Sequence, residues 1–170
     1  MIKKRNGWLI LIVILLLVGC MAEDDEWDMN PFSTGKNQVE NIEKYLITNF
    51  GSIGFGGVVS CRYEPLNAEQ FVDDKVYLFV ICLEHYMEGD NLILGSGATL
   101  PVVLHVEQKN DTYEIVDHLT PFLGEYAEDV YEYFPESSWP QIFHDDSEFN
   151  DRIGELIQDL EESARLSFED

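Results

Sequence analysis

Basic side chains are scarce in this sequence. Its 170 residues include 10 Lys and Arg against 33 Asp and Glu, which gives a formal net charge of −23 at pH 7. Nucleic acids and anionic bilayer surfaces attract clustered cations. The composition therefore argues against a nucleic-acid partner and against electrostatic attraction to a membrane. The length suits one domain with a hydrophobic core and is short for two.

Motifs for catalysis and metal binding are also missing. The sequence has no His-Glu-x-x-His or Cys-x-x-Cys spacing and no Gly-x-Ser-x-Gly elbow. The glycine-rich stretch 51–57 precedes a predicted strand, not the helix N-terminus that a phosphate cradle uses. We therefore assign no catalytic residue, no metal and no cofactor, and we expect a protein without enzymatic activity. The four histidines follow no ligand spacing: His85, His105, His118 and His144.

The first residues have the three parts of an export signal. Lys3, Lys4 and Arg5 form a positive start, and an uncharged apolar stretch follows over residues 8–19. A membrane-spanning helix needs about 20 apolar residues, so this shorter stretch is typical of the hydrophobic part of a signal peptide. An uncleaved N-terminal anchor and a plain secretory signal are the alternatives.

The end of this stretch, Leu17-Val18-Gly19-Cys20, resembles the lipobox of bacterial lipoproteins. The resemblance implies cleavage of a signal peptide at residues 1–19 and attachment of diacylglycerol to the Cys20 thiol. Two acyl chains make a stable anchor, whereas one is marginal. We therefore expect a protein held to the cell membrane by lipid on Cys20, on its extracytoplasmic face.

We predict a flexible acidic tether over residues 20–36. We predict a single globular domain over residues 37–170. Apolar residues at helical spacing predict a helix from about Asn37 to the glycine-rich stretch. Four strands are predicted next, at 58–63, 76–86, 92–108 and 113–118, with the third open to a break at Gly95–Gly97 or Pro101. Two more helical segments follow, the last one beginning at Asp146 or Ser147.

Short turns between these strands require antiparallel neighbours, because parallel strands need long crossovers. The predicted fold class is therefore α+β. We expect a curved antiparallel sheet of about four strands packed against N- and C-terminal helices, in the style of cystatin or NTF2-like folds. The second strand is apolar on both faces, which predicts a central position.

Cys61 and Cys82 fall on the first two predicted strands. If those strands form an antiparallel pair, the two residues lie close together. Outside the cytoplasm a disulfide between them would persist. Cys61 and Cys82 are therefore a disulfide candidate, and two buried free thiols are the alternative.

Aromatic residues alternate with carboxylates near the first C-terminal helix. Aromatic rings beside carboxylates can hold a cationic or sugar ligand. The alternative is an amphipathic helix whose aromatic residues fill the core. The candidate ligand-binding residues are Tyr126, Tyr131, Tyr133 and Trp139.

A second resemblance covers about residues 76–135. It rests on Gly95-Ser96-Gly97, Pro101-Val102-Val103-Leu104, Tyr113-Glu114-Ile115-Val116 and a stretch ending in Phe134-Pro135. This pattern is similar to an extracytoplasmic segment of BlaR1/M56-type bacterial membrane proteins. The resemblance implies an accessory or sensing module and transfers no catalytic residue, because the zinc motif of those proteins is absent.

These observations favour a membrane-anchored lipoprotein that acts as an extracytoplasmic binding or accessory module. Its partner would be an unknown envelope protein or a small ligand. The alternatives are an envelope hydrolase that uses carboxylates and a structural or inhibitory lipoprotein.

Overall fold

The computed structural model describes residues 36–66, 74–109 and 112–169. The predicted signal peptide, Cys20 and the tether up to residue 35 lie outside the described residues. The elements in chain order are helix α1 (Lys36–Phe50), strands β1 (Val58–Pro65), β2 (Lys75–Glu88), β3 (Asn91–Lys109) and β4 (Thr112–Leu119), helix α2 (Tyr126–Tyr133), a 3₁₀ turn (Glu136–Ser138), and helices α3 (Trp139–Ile142) and α4 (Ser147–Glu169).

The four strands form one antiparallel sheet in the order β1-β2-β3-β4. This confirms the predicted α+β class and the curved antiparallel sheet. The tight connection between β2 and β3 turns at Gly89, whose φ of 64° is in the left-handed region that glycine adopts without strain. Short connections of this kind fix each strand beside its neighbour in sequence.

β3 is continuous, so the glycines and Pro101 do not break it. The pairing with β2 instead shifts between Leu83 and His85, which face Gly97 and Leu94 respectively. Gly95 and Ser96 therefore lie opposite the single residue Glu84. A β-bulge of this kind accommodates an extra residue without ending the strand.

Both faces of the sheet are covered, and β2 contributes apolar side chains to each. Helix α1 covers one face with the fully buried Ile42 and Leu46. The C-terminal helices cover the other face and pack on Tyr77, Phe79 and Ile81 of β2. β2 is therefore an interior strand, as its two apolar faces predict.

The long helix α4 begins and packs as its pattern indicates. The backbone N–H of Phe149 donates to Asp146 Oδ1 at 3.0 Å, so Asp146 caps the helix. The apolar stripe of α4 is buried against the sheet and α2, through Phe149, Ile153, Leu160 and Ala164. An ion pair between Arg152 and Glu64 joins α4 to β1.

Candidate functional site

Cys61 and Cys82 face each other across β1 and β2 and are joined by a disulfide bond. Their Cα atoms are 4.1 Å apart, and both residues are buried in the core under α1. The bridge closes a loop with a sequence separation of 21. By the chain-entropy model a loop of this size stabilises the fold by about 3 kcal/mol.

Three of the four candidate ligand-binding residues belong to one cluster of rings, which we call the aromatic surface: Tyr126, Tyr131, Trp139 and Phe143. The ring of Tyr131 lies 4.6 Å from Trp139 and 5.7 Å from Phe143. Tyr126 reaches the same cluster through Phe143, at 6.4 Å. Tyr131 is 54% exposed, whereas the other three rings are half-buried against the core. The aromatic surface therefore presents the exposed ring of Tyr131, packed beside three half-buried rings.

The indole N–H of Trp139 has a structural role, and the pKa of the Tyr126 hydroxyl is shifted by burial. Trp139 Nε1 donates to the carbonyl oxygen of Phe134 at 3.1 Å, which fixes the indole. Burial raises the pKa of the Tyr126 hydroxyl, so that hydroxyl stays neutral at physiological pH. A ligand on the aromatic surface would therefore meet ring faces and the neutral hydroxyl of Tyr126.

The fourth candidate, Tyr133, is tied to Asp129. The negative charge of Asp129, together with partial burial and the charge of Glu132, raises the pKa of Tyr133. Asp129 is buried and also accepts the backbone N–H of Phe122 at 2.7 Å. Asp129 thus holds the loop between β4 and α2 to the first turns of α2.

The charged residues in the segment that carries the aromatic surface are all acidic. The sequence contains no Lys or Arg between Lys109 and Arg152. The exposed acidic residues of the segment that carries Tyr131 include Glu125, Glu128, Glu132 and Glu136. An exposed ring beside carboxylates suits a cation, since the negative ring face and the charges act in the same direction.

A second polar arrangement, which sequence reasoning missed, lies at the other end of the sheet. We call it the Glu84 clasp: Glu84, Gly54, Phe55, Gly57 and Ser96. The fully buried Glu84 carboxylate accepts the backbone N–H groups of Phe55 and Gly57 on Oε1, each at 2.9 Å, and that of Gly54 on Oε2 at 2.8 Å. Ser96 adds its hydroxyl, 2.6 Å from Oε2, and its N–H at 3.3 Å.

These donors keep the carboxylate of Glu84 ionised. Burial alone would raise its pKa, but the hydrogen bonds from Ser96, Gly57, Gly54 and Phe55 outweigh that effect and hold the pKa well below the ordinary value of 4.5. A carboxyl group with a depressed pKa and both oxygens occupied is a poor proton donor. Glu84 therefore binds the loop and does not fit the role of a general acid.

The glycine-rich stretch is thus an anion-binding loop whose anion belongs to the same chain. Gly57 is required there, because a Cβ atom would stand 2.1 Å from the carbonyl oxygen of His85. The available signal was an acidic residue on a strand that is otherwise apolar on both faces. An unpaired charge is costly to bury, so Glu84 implied a set of donors, without indicating which groups supply them.

His118 is half-buried between β4 and α1. Its Nδ1 lies 2.8 Å from the hydroxyl of Tyr45, and Phe50 packs edge-on against the ring at 4.9 Å. Burial and the nearby charge of Asp117 raise the pKa of Tyr45. This contact joins α1 to the edge strand β4.

Two other histidines, His85 and His144, have different surroundings. His85 is buried, and burial lowers its pKa; Glu161 opposes this effect and Arg165 adds to it. His144 bonds Asn150 at 3.0 Å. Within residues 36–66, 74–109 and 112–169, no three His, Cys, Asp or Glu side chains are grouped so that they could hold a metal ion.

The chain matches no protein-family model, no curated protein and no solved structure. Among the helices in the described part of the chain, none is both long enough and apolar enough to cross a membrane. Function must therefore be argued from the residues themselves.

Proposed function

We propose that this chain is a lipid-anchored module that binds a ligand or assists a partner on the extracytoplasmic face of a bacterial membrane. The observation that carries the proposal is the Cys61–Cys82 bridge in the core. Disulfides persist in oxidising compartments and are rare in the cytosol of most bacteria. The bridge therefore agrees, through separate residues, with the export signal that precedes Cys20.

Binding is the activity that the described surface supports best. The aromatic surface offers the exposed ring of Tyr131, which packs against Trp139 and Phe143 in a segment whose charged residues are all acidic. Such a surface can hold a cationic group but supplies no nucleophile paired with a base. The buried carboxylate of Glu84 is fully engaged in holding the glycine-rich loop.

The anchor is tested by mass spectrometry of the full chain extracted from membranes of a bacterial host that processes lipoproteins. We expect Cys20 as the first residue, carrying diacylglycerol, and loss of membrane association in Cys20→Ser. Ser has nearly the same shape but no thiol to acylate, so it is the matched control. An intact, unmodified Met1 on the wild-type chain would contradict the proposal.

Binding at the aromatic surface is tested with tri-lysine as the probe. In a Trp27→Phe background, where Trp139 is the only Trp of the mature chain, we expect tri-lysine to change the fluorescence of Trp139. Tyr131→Ala should weaken this response, whereas Leu166→Ala, an exposed residue of α4, should leave it unchanged. An equal response in both variants would show that the probe binds elsewhere.

A further inference from the structure

The outer edge of β3 is open over more than half of its length. β4 pairs with β3 only from Val103 to Lys109, where Val103 faces Leu119. On the opposite side, β2 pairs with β3 along nearly the whole strand. Residues 91–102 therefore present one row of backbone groups with no strand partner among the described residues. At about 3.3 Å per residue this free edge is roughly 35 Å long.

The free edge lacks the charged side chains that protect many sheet edges. Natural edges carry charges, prolines or bulges, or are very short. Residues 91–102 contain no charged side chain in a chain of net charge −23. Pro101 limits the donor row at one end, and the bulge at Gly95 and Ser96 is held in place by Glu84. The stretch from Leu92 to Leu100 is thus an uncharged strand edge, interrupted at Ser96, whose N–H donates to Glu84.

Exposed apolar side chains lie at both ends of this free edge. At the hairpin end, Leu94 is 59% exposed and Met87 is also exposed. At the other end, the loop after β4 presents Phe122 and Leu123, which are 69% and 93% exposed. Leu123 follows Leu119 by four residues, so it lies within about 14 Å of the point where β4 stops.

We propose that the free edge of β3 pairs antiparallel with the same edge of a second copy of this chain. A two-fold axis crossing the free edge would join the two sheets into one. It would also set the hairpin end of each copy against the loop after β4 of the other. Met87 and Leu94 of each copy then meet Phe122 and Leu123 of its partner, twice by symmetry.

Charge explains why a second copy fits this edge better than a basic partner. A basic strand would find no carboxylate along residues 91–102, whereas an identical strand brings an equally uncharged surface. The acidic residues Glu88 and Asp90 lie at the hairpin turn, so antiparallel pairing keeps these residues of the two copies at opposite ends of the interface. The overall negative charge still opposes association at long range, and salt screens that repulsion.

The first test is sedimentation velocity of the full chain in detergent at low and high salt. We expect a dimer whose association tightens as salt is added, because screening weakens the repulsion between two acidic copies. A monomer under all conditions would overturn the proposal. A complex that weakens with salt would also overturn it, because attraction between opposite charges would then hold it together.

Two substitutions locate the interface. Leu123→Lys and Thr99→Lys each place a charge at an exposed position, and both should abolish the dimer. Leu123 is almost fully exposed in its own chain, so its replacement should leave the fold intact. The control is Leu166→Lys, an exposed apolar residue of α4, which should keep the dimer. Dimers that persist in both edge variants would place the interface elsewhere.

Single cysteines then test the symmetry. Introduced one at a time at the exposed positions Leu94 and Thr99, they should cross-link copies in the membrane, more efficiently at the residue nearer the axis. Mixtures of variants on the two sides of the axis should cross-link better than either variant alone. Equal, weak cross-linking at these positions and at Ile157 on α4 would indicate random collision and overturn the pairing.

Discussion

Two buried carboxylates of this protein each hold a loop by its backbone, yet the two are very differently engaged. Glu84 accepts three backbone N–H groups from the loop before β1 and two donors from Ser96, and it is completely buried. Asp129 is at the margin of burial and accepts one loop N–H, from Phe122.

The comparison shows what makes a buried acid an internal structural anion. A carboxylate loses its hydration when it is buried, and only several converging donors offset that cost. At Glu84 both oxygens are occupied by N–H or O–H donors. At Asp129, a single loop N–H reaches Oδ2, and the hydroxyl of Tyr133 also donates to the carboxylate. The two acids should therefore respond very differently to the same chemical change.

The largest effect is expected from Glu84→Gln. One oxygen becomes an amide NH₂ that faces backbone donors, because each oxygen of Glu84 accepts at least one N–H. We expect a large loss of stability in chemical denaturation, together with fast hydrogen exchange at Gly54 and Phe55. Glu88→Gln, an exposed residue of the same strand, is the control. Equal denaturation midpoints for the two variants would show that the Glu84 clasp contributes little to the stability of the fold.

Lowering the pH should reduce the difference in unfolding free energy between the wild type and Glu84→Gln. The folded state holds the pKa of Glu84 below its ordinary value of 4.5. The stabilisation is therefore fully present above about pH 4.5 and is lost as the pH falls below it. Denaturation across this range should show the wild-type advantage shrinking. Protonation of His85, whose pKa is also lowered, affects both proteins alike, so a constant difference would contradict the account.

Ser96→Ala should cost less, because it removes only one donor from the Glu84 clasp. A hydrogen bond to a charged group typically contributes about 1.5–3 kcal/mol, and the expected loss of unfolding free energy is of that order. The control is Thr99→Ala, an exposed position on the same strand. If Ser96→Ala were as stable as Thr99→Ala, the hydroxyl of Ser96 would not be holding Glu84.

Asp129→Asn should have the smallest effect. The amide can turn its oxygen towards the N–H of Phe122, so a charged acceptor is replaced by a neutral one. We expect a loss of about 1 kcal/mol from the usual difference between such bonds. A loss as large as that of Glu84→Gln would show that the number of donors does not decide the outcome.

Periodicity and turn length were enough to predict that β2, β3 and β4 are antiparallel neighbours and that the long helix α4 follows. Apolar spacing marks which face of each element is buried, and short turns restrict the strands to antiparallel neighbours. The bridge between Cys61 and Cys82 follows the same reasoning, because the register of β1 and β2 places the two residues opposite each other.

The Glu84 clasp could not be predicted in the same way. It depends on a bulge that brings Ser96 beside Glu84 and on a loop that folds back over β2. Neither contact follows from the pattern of one segment alone. Likewise, the free edge of β3 depends on the difference in length between β3 and β4, which a few residues at a strand end decide.

The most direct test of the central claim, that this protein folds and works outside the cytoplasm, is the redox state of Cys61 and Cys82 in intact cells. Cells would be denatured in acid, and the protein would be alkylated with and without prior reduction. Mass spectrometry of the cysteine peptides would then show which thiols had reacted. The account predicts that both cysteines react only after reduction. Reaction of both without reductant would show free thiols, and the extracytoplasmic assignment would then be wrong.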